Sequence, residues 1–153
     1  FEPDIIHVHE MHAYFINVKA LLAYLAKKEM KTIFTLHCEF DYTGKCGHSL
    51  ECEKWKTRCK DCPHLHEYPR VLLFDHTCYM HKQKEELFGK IKKKMITTPS
   101  PWLTERAKNS FLGIPNSLID IGRLISFFNF VISLISKSTF SSSFFIKESL
   151  KHT

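Results

Sequence analysis

Two short apolar stretches, each ending abruptly at histidine, bracket a segment with helical spacing. Ile5, Ile6 and Val8 lead into His9-Glu10, and Lys31-Thr32-Ile33-Phe34-Thr35-Leu36 leads into His37. The second stretch is rich in β-branched and aromatic residues, so both read as buried parallel strands that deliver polar groups at their ends. Between them, Val18, Leu21, Leu22 and Leu25 recur at helical spacing from Asn17 to Glu29, with Lys27 and Lys28 favourable near the C-terminal end of the helix. Strand, helix and strand in this order predict a right-handed βαβ unit and an α/β fold. Ligands of open α/β sheets gather beyond the carboxyl ends of the strands, where both histidine clusters fall.

The pattern continues beyond residue 70. Helical character is predicted between Tyr79 and Phe88, and Met95-Ile96-Thr97-Thr98 reads as a third strand. Ser100 and Pro101 suit the N-cap and first position of a helix running through Leu112, with Gly113 in a left-handed stop. A further strand is expected from Ile114 to Ile119. Past Asp120 the composition turns to Phe, Ser and Ile without clear period, and the apolar run from Leu124 to Ile135 is too short to span a bilayer.

At 153 residues the chain is the size of one domain, and with 44% hydrophobic and 25% charged residues it reads neither as wholly disordered nor as a membrane bundle. The net charge of +6 is densest at Lys90 to Lys94, where four lysines surround Ile91. No aromatic stacking pattern accompanies them, so a solvated face is expected and no nucleic-acid partner. Phe1-Glu2-Pro3-Asp4 lacks the basic start and apolar core of a signal peptide. A reducing cytoplasm is therefore expected, and the six cysteines are read first as thiols or metal ligands.

From Cys38 to Pro69 all periodicity dissolves, and a loop of this length is expected to be functional or cross-linked. Cys46, Cys52, Cys59 and Cys62 follow the spacing C-x5-C-x6-C-x2-C, whose last pair has the bite of many tetrahedral zinc sites. Four thiolates would close such a site and make it a staple. Free or disulfide-paired cysteines are the competing reading, and His48, His64 and His66 are spare ligands. A redox role is disfavoured because Cys59 and Cys62 do not open a helix after a strand. His7, His9 and His12 lack the H-E-x-x-H arrangement, so no catalytic metal is expected. Strand-end histidines instead suit hydrogen bonding to hydroxyls or phosphate oxygens.

Asp4 through Tyr14, Thr35-Leu36-His37, Tyr42-Thr43-Gly44-Lys45-Cys46, Cys52 through Cys59, Cys62-Pro63 and Tyr68-Pro69 together resemble the N-terminal domain of family 4 glycosyltransferases, in the bacterial branch with a cysteine-bearing insert. Thr98-Pro99-Ser100-Pro101-Trp102-Leu103 resembles that domain's strand-to-helix junction. The resemblance implies the acceptor-side half of a GT-B fold, an incomplete Rossmann-like sheet over residues 1–119 with an insert at 38–69 and an atypical tail at 120–153. It implies a retaining enzyme that needs no metal for chemistry and takes a nucleotide sugar as co-substrate. The acceptor would be a polysaccharide or lipid-linked glycan, and the basic face near Lys90 would then rest on the anionic inner membrane where such acceptors reside. His37 matches the family's strand-end histidine and is the expected catalytic residue; His9, Glu10 and, beside them, His12 are expected on the acceptor side.

The family usually has aspartate after that histidine, where this chain has Cys38 followed by Glu39, and Ile119-Asp120-Ile121-Gly122 replaces its domain hinge. The chain is accordingly expected to be a fragment, cut short on both sides and frameshifted after Ile119, that does not transfer sugar alone. The competing function is a zinc-stapled binding module without catalysis.

Overall fold

The computed structural model describes residues 3–12, 14–71, 73–113 and 118–120, the last three as backbone. Four strands, β1 (Ile5–His9), β2 (Lys31–Thr35), β3 (Lys94–Thr98) and β4 (Leu118–Asp120), form one sheet in the order β1-β2-β3-β4. All three pairings are parallel, as the sequence predicted for an α/β chain. Three helices accompany them: α1 (Val18–Lys28), α2 (Thr77–Lys90) and α3 (Pro101–Lys108).

Period-two alternation decides what each sheet face does. Val8, Phe34 and Ile96 stand in register on one face and join the hydrophobic core with Leu22 and Leu25 of α1, Phe88 of α2 and Leu103 of α3. Burial of each such large side chain stabilises the fold by about 1.5–3 kcal/mol. The other face carries the registered row His7, Ile33 and Met95, beside Ile5. Ile5 is 52% and Met95 41% exposed, so this face is open toward the amino ends of the strands, while Thr35 and Thr97 near the carboxyl ends are buried. β1 is therefore half-exposed at the sheet edge, not the buried strand that its apolar composition suggested.

Local chemistry sets the helix ends. Asn17 caps α1 by accepting the Ala20 amide at 3.0 Å, and Ser100 caps α3 by accepting the Leu103 amide at 3.3 Å. α3 stops at Lys108 and not at Leu112, because the Asn109 side chain donates to the Glu105 carbonyl and the Ser110 hydroxyl to the Ala107 carbonyl. Gly113 does not take a left-handed conformation; a Cβ there would strike the Lys108 carbonyl. The lysine run lies between α2 and β3, its side chains exposed at Lys90, Lys92 and Lys93 around a buried Ile91. The Phe-rich tail from residue 121 lies outside the described residues.

Among its described residues, the irregular stretch from Leu36 to His76 contains only one short 3₁₀ turn, Lys54–Lys56. It nevertheless buries Tyr42 and Trp55, which meet at 5.3 Å between ring centroids. Its backbone carbonyls lack a ladder; some accept from backbone amides in turns, and others are satisfied by charged and polar side chains. Lys84 of α2 donates to the carbonyls of Phe40 at 2.5 Å and Thr43 at 3.0 Å, and lies over the Phe40 ring. His81 donates to the Trp55 carbonyl at 3.0 Å, and Lys45 to those of His64 and Glu67. The buried Glu39 accepts from the Ser49 amide and hydroxyl, the Tyr42 hydroxyl and Arg106 Nε of α3. Glu39 is thus an anchor of the loop.

Candidate functional site

Parallel pairing of His9 with Thr35 places the ends of β1 and β2 level, so His37, two residues past Thr35, emerges beside His9. His9 Nδ1 and His37 Nε2 lie 3.1 Å apart with the rings stacked at 29°. One nitrogen donates and the other accepts, so each ring fixes the tautomer of its partner. Behind them runs a chain of hydroxyls across three strands. Thr97 donates to the Phe34 carbonyl at 3.4 Å, Thr35 to Thr97 at 2.7 Å, and the Thr35 oxygen accepts from His7 Nε2 at 2.7 Å. Desolvation, followed by the neighbouring His9, lowers the pKa of His7 and favours its neutral ring.

Glu10 turns the chain the other way. Its φ of 51° lies in the left-handed region, which is strained for a residue with a Cβ. The turn carries Glu10 and His12 to a second cluster with Cys38, whose ligand-type atoms all lie within 4.8 Å of one another. Cys38 Sγ donates to Glu10 Oε1 at 3.1 Å, and His12 Nδ1 stands 3.4 Å from the same oxygen without forming a hydrogen bond. Burial pushes the Cys38 thiol up to about 12, which suits its role as a donor.

His12 also borders a cavity of about 430 Å³ whose wall includes Met11, Tyr14, Phe40, Arg70 and Tyr79. Tyr68 meets both His12 and Tyr14 edge-on. A cavity of this size with aromatic walls and a cation at its rim matches the dimensions of small-molecule sites. The four sequence-predicted residues therefore separate into two pairs: His9 with His37 at the sheet edge, and Glu10 with His12, of which His12 lines the cavity. Cys38 belongs with the second pair, a placement that sequence spacing did not signal.

Cys46, Cys52, Cys59 and Cys62 all line a second, small cavity of about 20 Å³, and all four are free thiols. The Gly44 amide donates to Cys59 Sγ at 3.2 Å. Their sulfurs stand further apart than the Glu10, His12 and Cys38 ligand atoms, which form the tight trio among the described residues. His48 and His66 are exposed, and His64 is bound to Glu67 at 2.9 Å. No helix among the described residues is long and apolar enough to cross a membrane.

No protein-family profile matches the chain, and no solved structure matches it. Among curated proteins it is similar to the Escherichia coli (strain K12) protein named "Putative colanic acid biosynthesis glycosyl transferase WcaC", with 33% identity over 91 residues. The match covers 56% of this chain and 22% of the relative, so the chain spans less than a quarter of that protein's length. A parallel α/β sheet with a histidine pair at its carboxyl edge thus occurs in a chain similar, over more than half its length, to a glycosyl transferase.

Proposed function

We propose that this chain is the acceptor-side part of a retaining GT-B glycosyltransferase, which moves a sugar from a nucleotide donor to a polysaccharide or lipid-linked acceptor. The observation that carries the reading is the His9–His37 pair at the carboxyl edge, in a chain with this similarity to a glycosyl transferase. During transfer the sugar passes through an oxocarbenium-like state while negative charge builds on the leaving phosphate. Donors aimed at that charge are what the site requires, and a His37 ring held by His9 meets the requirement. His12, which lines the aromatic cavity, and Glu10 next to it take the acceptor side. In this reading the nucleotide sugar binds to the second domain of the two-domain architecture, the chemistry uses no metal, and the protein works at the cytoplasmic face of the inner membrane.

The test is a hybrid in which this chain replaces the matching segment of the E. coli relative, assayed for nucleoside diphosphate release from sugar nucleotides. The hybrid is expected to turn over, and His37→Ala to lower turnover by about 100-fold with the melting curve unchanged. A folded hybrid without turnover, or one indifferent to His37→Ala, sinks the proposal.

A further inference from the structure

We infer that Cys46, Cys52, Cys59 and Cys62 form a closed tetrathiolate zinc site that staples the irregular loop between β2 and α2. This inference is independent of the glycosyltransferase reading.

Three observations support it. The four thiols are brought by the fold to one cavity of about 20 Å³, a volume on the scale of a single ion or water, although they come from a segment with almost no regular structure. Zinc–sulfur bonds of about 2.3 Å in a tetrahedron set the sulfurs about 3.8 Å apart, closer than the four thiols stand here, so zinc binding draws the loop in around the ion. The Gly44 amide already donates to Cys59 Sγ, the kind of outer hydrogen bond that orients and stabilises a metal-bound thiolate.

The surroundings also carry the right charge. Four thiolates around Zn²⁺ leave two negative charges, and Lys45, Lys54 and Lys60 border the same cavity. Lys84, fully buried, sits within electrostatic reach of Cys46 and Cys59. Thiolate sulfur in a tetrahedral set selects zinc over magnesium or calcium, which take oxygen ligands. With all four positions taken by protein, no site remains for substrate, so the role is structural.

The test uses the full chain purified from zinc-supplemented cells, with metal content by mass spectrometry and ligands by X-ray absorption. One zinc per chain with four sulfur neighbours at about 2.3 Å is expected. Cys59→Ser and Cys62→Ser should each lower zinc content at least tenfold, while Cys38→Ser and Cys78→Ser retain it. Should the loop variants fail to fold, the sulfur count in the unaltered chain still decides. Substoichiometric zinc, a mixed nitrogen and oxygen shell, or disulfides among the four cysteines would each overturn the assignment. So would zinc that survives Cys59→Ser but not Cys38→Ser, since that places the metal at Glu10, His12 and Cys38.

Discussion

His9 Nδ1 stands 3.1 Å from His37 Nε2, joining two residues 28 apart in sequence at the ends of neighbouring strands. The bond orients the His37 ring and couples its tautomer to that of His9. In the transfer assay, His9→Phe is expected to reduce turnover about tenfold by releasing that orientation, and His9→Gln, which keeps a polar partner, to recover most of it. Equal losses in the two variants would assign His9 a packing role only.

Glu39 is 1% exposed on its side chain and receives Arg106 Nε at 2.5 Å, with Arg106 Nη2 donating to Ser49 Oγ at 2.6 Å. Arg106→Met leaves a buried carboxylate without its cation and is expected to cost about 3 kcal/mol in urea unfolding. The double variant Arg106→Met/Glu39→Gln should lose less than the sum of the two single losses. Strict additivity would show that the pair is not coupled.

His81 is buried, and desolvation lowers its pKa below the usual 6.5, outweighing the opposing bond to the Trp55 carbonyl. The unfolded chain binds that proton more readily than the folded one. The contribution of His81 is therefore fully present above about pH 6.5 and is lost as pH falls toward the lowered value, by up to about 1.4 kcal/mol per pH unit. In His81→Gln, which retains a donor for Trp55, that part of the pH dependence should vanish from denaturation curves measured between pH 5 and 7.

A Cβ on Gly44 would lie 2.6 Å from the Thr77 carbonyl oxygen and 2.9 Å from its Cα, and backbone cannot move aside as a flexible side chain does. Gly44→Ala is expected to destabilise the chain by about 2 kcal/mol. Gly89, near the end of α2, meets nothing within 4 Å, so Gly89→Ala should raise stability by about 0.5 kcal/mol. Thermal melts of the two variants should shift in opposite directions.

Strand and helix identities were legible because they depend on neighbours in the chain. The apolar period of α1, the Ser100 cap with Pro101, and the β-branched stretch of β2 each report a local preference. The end of α3 was misjudged because Asn109 and Ser110 compete for its last carbonyls with their own side chains. Lys84 gave no signal at all: on a helix it reads as a solvated cation, yet it is buried to satisfy the carbonyls of Phe40 and Thr43, more than forty residues away.

By itself, then, the sequence determined a parallel α/β chain whose first two strands lead into histidines, since alternation and capping act within a few residues. Tertiary structure alone decided that His9 pairs with His37 while Glu10 and His12 turn to Cys38, because strand register and the left-handed turn at Glu10 set those directions. It also decided that Glu39 faces Arg106 and that four thiols share one cavity. Contacts across a loop this long depend on how the loop closes over the core, and no local preference encodes that closure.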